Sequence, residues 1–371
     1  MMHVWVEINL NNIRHNYNLI KRKVGRSVKI LAVVKSEAYG HGMVAVSRVL
    51  AEQKVDYLGV ARLKEAVELR KAGIPTPILL FNPLFSEEIK LAVEYGLSST
   101  VYTLSSARLL DKQARSKGRK ARVHLKVDTG MGRAGVWHKQ AFQLAKSISQ
   151  LSNLKLEGIY THFPSADEED KAFTYKQVGF FKTLLDKLER SGVSIPCKHA
   201  ANSAGILDVK ISHLNLVRPG LMLYGVYPSR YVSKTLKLKP ALSVKTRVSY
   251  LKPTPQGRSI SYGRDHITCR PTVIAALAVG YADGYSHLLS NKSRVLVKGQ
   301  GVPVAGRICM DQMMVDVGAV KDVKIGDEAV LIGSQGTEEI TVEELADRCG
   351  TIPYQVLCWI GNKVLRKYKN R

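Results

Sequence analysis

The run Leu31-Ala-Val-Val-Lys35 puts an amine at the end of an apolar, β-branched segment. Such a segment reads as a buried strand. The chain then turns through Gly40 and Gly42 and enters Met43 to Leu50, which has the periodicity of a helix. Two readings of Lys35 are open. Most strand-end lysines are solvated. A lysine held against an apolar wall instead loses proton affinity and becomes a nucleophile that can form an imine with an aldehyde.

Other segments carry equally suggestive residue types. In Lys126-Val-Asp-Thr-Gly-Met-Gly-Arg133-Ala-Gly135 an arginine stands among glycines, where it could present a two-pronged fork to a carboxylate or simply sit on a surface loop. His162 closes the apolar run ending Tyr160-Thr161, although a lone histidine is more often structural. Ser203 supplies a hydroxyl after Asn202. In Arg218-Pro-Gly220 the glycine would let backbone N–H groups approach an anion closely. Tyr281 lies in Ala278-Val-Gly-Tyr-Ala-Asp-Gly-Tyr285, and read alone it could be a core aromatic.

The elements that would position these residues alternate. Strand patterns fall at 29–35, 56–61, 77–81, 98–102, 121–128, 155–161, 195–199 and 213–218, after an initial strand-like run from His3 to Leu10. Helical patterns fill the gaps, among them Leu63 to Ala72, Ala107 to Lys117 and Tyr175 to Arg190. The apolar stripe Val178, Phe181, Leu184, Leu185 and Leu188 of the last reads as core. Eight strand–helix units over about 190 residues suit a (β/α)8 barrel. A doubly wound sheet would alternate in the same way, but no Gly-x-Gly-x-x-Gly follows the first strand. A barrel places chemistry at the C-terminal ends of its strands and often holds phosphate in the loops after strands seven and eight. Lys35, Arg133, His162, Ser203 and Gly220 all follow strand ends.

Near residue 233 long helical runs give way to short β segments at 241–250, 272–279, 294–297, 302–305, 313–317 and 328–332, separated by glycine turns. The expected division is a barrel over 1–232 and a mainly β domain over 233–371, an α/β chain of two parts.

These motifs together resemble the alanine racemases, which use pyridoxal 5′-phosphate (PLP). The resemblance runs from Trp5 to Cys358. It rests on Lys35 with Ala38-Tyr39-Gly-His-Gly42, the Arg133 segment, His162-Phe-x-Ser-Ala-Asp-Glu168, Arg218-Pro-Gly220, the Tyr281 segment, Gly306-Arg-Ile-Cys-Met310-Asp311 and Tyr354-Gln-Val-Leu-Cys358. Ser36 and Glu37 depart from the small or amide residues usual after the lysine.

The resemblance implies that Lys35 holds PLP, with Tyr39, His162, Asn202, Ser203, Arg218, Gly220 and Tyr354 around it. Arg133, the Met310 backbone and Asp311 would contact the substrate carboxylate end. Lys126 is the position carbamylated in many members. Arg218 would face the pyridine nitrogen. An arginine stays protonated and cannot give that nitrogen a full proton, which weakens the electron sink and favours racemisation over transamination.

Lys35 and Tyr281 would be the two bases, Lys35 on the face of the D enantiomer and Tyr281 on that of the L. Tyr281 and Met310 would come from the second subunit of a homodimer with shared sites. A free tyrosine titrates near ~10, so a tyrosine base at neutral pH needs roughly 4 kcal/mol of help. A cationic His162 coupled to Arg218 could supply part of it. The implied activity is interconversion of L- and D-alanine, feeding D-alanine to peptidoglycan. A serine or broad-spectrum racemase is the alternative on the same scaffold.

Composition narrows the remaining classes. The chain has 56 Lys+Arg against 31 Asp+Glu, net +25, but the basic residues are dispersed and lack an aromatic-interleaved nucleic-acid motif. No dedicated nucleic-acid partner is expected. The five cysteines are odd in number and form no Cys-x-x-Cys, so neither a disulfide framework nor a metal site is expected. No stretch reaches the ~18 apolar residues of a membrane span, and the N-terminus lacks a basic region followed by a long apolar run. A soluble cytoplasmic protein is the expectation.

Overall fold

A computed structural model describes residues 3–361 and 364–369. Met1 and Met2 of the N-terminal segment, and Asn370 and Arg371 of the basic C-terminal run, lie outside the described residues.

The first strand, β1 (Val4–Asn9), leads into helix α1 (Leu10–Val24). The Asn9 side chain accepts the Asn12 N–H and caps that helix, while Lys21, Arg22 and Lys23 in the last turn complement its dipole. Eight strands follow: β2 (Lys29–Val33), β3 (Tyr57–Val60), β4 (Ile78–Leu80), β5 (Ser98–Val101), β6 (Ala121–Asp128), β7 (Leu154–Tyr160), β8 (Cys197–His199) and β9 (Leu216–Val217). Each pairs in parallel with its sequence neighbour, and β9 pairs with β2 to close the barrel. Every residue of β3, β4 and β5 is buried. Strands covered on both faces lose the apolar–polar alternation, which is why these read as short apolar runs. All eight match the expected strands to within a few residues.

The second part is a β sheet in the order 300–303, 294–297, 328–335, 242–254, β1, 365–369, with 272–277 and 313–316 joined through 242–254. Strand β1 is antiparallel to 242–254 and parallel to 365–369. The first strand of the chain therefore lies in the sheet of the second part, away from the barrel sheet. Two helices lie among the later strands, Val342–Cys349 and Pro353–Trp359. No helix among the described residues is long and apolar enough to cross a membrane.

Candidate active site

The end of β2 sets the site. After Val34 the backbone of Ser36, Glu37, Ala38 and Tyr39 enters a left-handed helical turn, with φ of 53, 54, 51 and 54°. Left-handed helix costs L-residues roughly 1–2 kcal/mol each, so the surroundings must hold this turn. Glu65 accepts the Ser36 N–H at 2.6 Å with one oxygen and the Ala61 and Arg62 N–H groups with the other. Glu37 accepts the Met43 N–H at 3.3 Å, at the start of the following helix. Of the two residues that depart from the pattern, Glu37 thus acts through its side chain, while Ser36 contributes its backbone N–H. Tyr224, whose hydroxyl donates to Val33 O at 2.7 Å, packs against Tyr39 with ring centroids 5.1 Å apart.

A cavity of about 570 Å³ opens over the C-terminal ends of the barrel strands. It is lined by Lys35, Tyr39, Lys126, Arg133, His162, Asn202, Ser203, Arg218, Gly220 and Tyr354. The expected residues of the barrel, and the late Tyr354, thus converge. Four of the lining side chains are Lys or Arg, while Asp167 is the one carboxylate. That balance selects an anionic ligand.

One end of the cavity is a donor cradle. The Ser203 hydroxyl accepts the Gly220 N–H at 2.9 Å, and the Asn202 side chain turns the loop by accepting the Gly205 N–H. A Cβ on Gly220 would stand 2.9 Å from the Tyr39 hydroxyl, so only glycine leaves that approach open. The rings of Tyr39 and Tyr354 lie 5.9 Å apart, and burial pushes both phenols upward, which keeps them protonated donors. The Ser203 hydroxyl, whose O–H is left to donate, and two phenols beside the close approach at Gly220 fit a phosphate group.

Arg218 is buried and fixed from several sides. Its Nη2 donates to Thr161 O at 2.7 Å and Ala200 O at 2.9 Å, and its Nη1 to His199 Nδ1 at 3.1 Å. Burial lowers its guanidinium to about 10, still charged at neutral pH. Because arginine can only donate, His199 must carry its proton on Nε2. That nitrogen lies 2.9 Å from His124 Nδ1, so His124 in turn presents its Nε2–H to Glu157 at 3.4 Å. Burial raises the Glu157 carboxyl, and hydrogen bonds from His124 and Ser98 outweigh it, leaving it lowered. Two neutral imidazoles thus connect the arginine to a buried carboxylate.

The same logic corrects one expectation. His162 Nδ1 accepts from Arg218 at 3.3 Å, and burial followed by the charges of Arg218, Arg133, Lys126 and Lys35 holds its pKa far down. His162 is neutral and contributes no cationic field.

Burial, reinforced by Arg133, also lowers Lys35, so more of its amine is in the nucleophilic form. Arg133 hangs from a loop that Asp128 organises by accepting the Gly130 N–H at 2.8 Å and the Gly132 N–H at 3.2 Å. These residues fit PLP: an amine for its aldehyde, a donor cradle for its phosphate and a fixed guanidinium for its ring nitrogen. Arg133 is a further cation lining the same cavity.

Lys126 is 7% exposed, and burial, then Arg133 and Arg218, lower it to about 8. Below pH 8 the fold carries a desolvated ammonium. The cost fades between pH 8 and the unfolded value near 10.5, where both states are neutral. At 1.36 kcal/mol per unit it is at most about 3 kcal/mol. In protein free of PLP and CO2, Lys126→Met is expected to raise the unfolding midpoint at pH 7, with the gain shrinking toward pH 10. A midpoint lowered equally at both pH values would refute this.

Tyr281, Met310 and Asp311 do not line the cavity. The Tyr281 N–H donates to Cys309 O at 3.1 Å and the Ala282 N–H to Met310 O at 3.0 Å, so the two segments form one unit. Tyr281 is 45% and Met310 54% exposed on the surface of the second part.

Sequence reasoning passed over Tyr160, His199 and Glu65. Tyr160 lines the cavity, lies under the Arg218 guanidinium with Cζ 5.3 Å from its ring centroid, and stacks on His199 at 4.7 Å. Its place as the last residue of β7 was the available signal. His199 acts through partners about 20 to 75 residues away and left none, while Glu65 showed only its ordinary place in the first turn of the Leu63–Lys71 helix, with no sign of its tie to Ser36.

Comparison with known proteins agrees with this geometry. The family model described as alanine racemase, N-terminal domain, matches residues 8–228, and that of the C-terminal domain matches 241–368. An alanine racemase of Halothermothrix orenii is 46% identical over 367 residues, covering 99% of this chain and 97% of the relative. One of Methanococcus maripaludis is 45% identical, covering 98% of each. Among solved structures, an alanine racemase of Clostridium difficile 630 superposes with a TM-score of 0.95 at 42% identity, over 100% of this chain and 97% of that one. The Bacillus anthracis alanine racemase with bound L-Ala-P gives 0.92 at 36% identity, over 100% and 96%.

Proposed function

The chain belongs to the alanine racemase family, and we propose that it works as a homodimer whose two bases, Lys35 and Tyr281, come from different subunits. The activity is the PLP-dependent interconversion of L- and D-alanine. The observation that supports the dimer is the position of Tyr281 and Met310. Both are exposed on one chain, and neither lines the cavity that holds Lys35.

PLP, when bound, withdraws electrons from alanine and acidifies its α C–H. The protein does the rest. Lys35 is the covalent attachment point. Ser203, Gly220, Tyr39 and Tyr354 hold the phosphate. Arg218 would face the ring nitrogen with a donor that cannot give up a full proton, which would leave the α-carbon the favoured place for a proton to return. Arg133 clamps the substrate carboxylate. The Met310 backbone N–H and Asp311 of the partner subunit would complete that end.

Lys35 then removes or delivers the α-proton from the side of the D enantiomer, and Tyr281 of the partner subunit does so from the other. With His162 neutral, the cationic field that favours the tyrosine base comes from Arg218, Lys35 and Arg133. Lys126, amine-like near pH 8 and beside Arg133, is suited to carbamylation, which would turn a repelling charge into an orienting one.

The five cysteines are all unpaired, which supports a reducing compartment such as the cytoplasm, and D-alanine supply for peptidoglycan is the use the family implies. The test is chiral analysis of L-alanine and, separately, L-serine incubated with protein and PLP. The expected result is an equal mixture of alanine enantiomers, with serine slower. A serine rate equal to that of alanine would replace the alanine assignment with a broad-spectrum one.

A further inference from the structure

The left-handed turn that follows Lys35 is held from one side by Glu65 and from another by the last strand of the chain, Leu365–Lys369. Arg366 Nε donates to Gly40 O at 2.8 Å, the carbonyl directly after the turn. The Nη1 of the same guanidinium donates to Val364 O at 3.0 Å and Gly361 O at 3.4 Å, and Nη2 to Ile360 O at 3.4 Å. Ile360 caps the C-terminal end of the Pro353–Trp359 helix, which carries Tyr354. One planar donor therefore joins two chain ends that each deliver a phenol to the cavity, Tyr39 and Tyr354.

The packing around this link is close. The Tyr368 hydroxyl lies where a Cβ on Gly42 would be, and Leu357 O stands 2.6 Å from where one on Gly40 would be. Arg366 forms no ion pair with a carboxylate among the described residues, so its donors are committed to carbonyls. Lysine could reach only part of that set, since its ammonium is a point charge without the fork.

We propose that Arg366 is a positioning residue for the cofactor site. It fixes the spacing between the Lys35–Tyr39 turn and Tyr354, and so sets the grip of the phosphate cradle, although it does not itself reach the cavity. Loss of Arg366 leaves the strained turn with one tie fewer, and the phenol donors drift apart. The proposal rests on Tyr39 and Tyr354 being cofactor contacts.

The test is fluorescence titration of the full-length apoprotein with PLP, with hydrogen exchange of residues 36–42 measured in parallel. Arg366→Met is expected to weaken PLP at least tenfold and to speed exchange in 36–42. Arg366→Lys is expected to fall between that variant and wild type. Lys369→Met is the control. It lies on the same strand and pairs with Glu7, and it is expected to leave both readouts within twofold of wild type.

If Arg366→Met does not fold, Arg366→Lys and Tyr368→Phe carry the test. Wild-type PLP affinity and exchange in the folded Arg366 variants would overturn the proposal, as would equal weakening by Lys369→Met. Tyr354→Phe separates the two readings. If it binds PLP as wild type does, the cofactor-contact premise fails; if it weakens PLP while the Arg366 variants do not, the positioning role alone fails.

Discussion

Lys35→Ala is expected to lower racemisation in both directions by at least about 10⁴-fold without unfolding the protein. A positioned acid–base group contributes roughly 10²–10⁴-fold, and this residue is also the attachment point for the cofactor, so two contributions disappear with one side chain. Stability has little to lose, because the deleted amine is a desolvated cation with Arg133 beside it. Its lowered pKa adds a sign: turnover of D-alanine, in which Lys35 is the base, should rise with pH as the amine loses its proton, at a pH below that of an ordinary lysine. Chiral chromatography of both enantiomers, with a thermal melt as the folding control, measures both. A variant retaining more than a tenth of wild-type turnover would remove Lys35 from the chemistry.

That lysine was the most legible residue in the chain, yet the local structure that aims it was not. Apolar runs with helices between them gave the barrel strands to within a few residues, because strands buried on both faces need little beyond β-branched composition. The turn at Ser36–Tyr39 left no such trace. It contains no glycine, and nothing in the propensities of serine, glutamate, alanine or tyrosine favours left-handed backbone. Tertiary ties to Glu65 and Arg366 impose it.

Similar distances hid the place of β1. Its alternation marks it as a strand, but its partners begin at residues 242 and 365. The Val342–Cys349 helix did leave a signal. Thr341 accepts the Glu344 N–H, a Thr-x-x-Glu start that sequence alone displays, and Gly350 ends the helix in the left-handed region. Long-range register, more than local propensity, separates what the sequence makes readable from what it does not.

The second large effect is a recovery of activity. Lys35→Ala and Tyr281→Phe homodimers are each expected to be inactive, since every site lacks one base. If each site takes Lys35 from one chain and Tyr281 from the other, a mixed dimer contains one site with both bases and one with neither. Random reassortment of equal amounts makes half the dimers mixed, and half the sites in those are intact. Unfolding and refolding the two variants together should therefore restore about a quarter of wild-type activity. Substituting Phe for Tyr keeps the ring of an exposed residue, so assembly is not at risk. Two bases drawn from one chain would give a different result, because no reassortment could then reunite them and the mixture would stay inactive. Chiral analysis of the refolded mixture distinguishes a quarter from nothing, and with it a shared site from one built within a single chain.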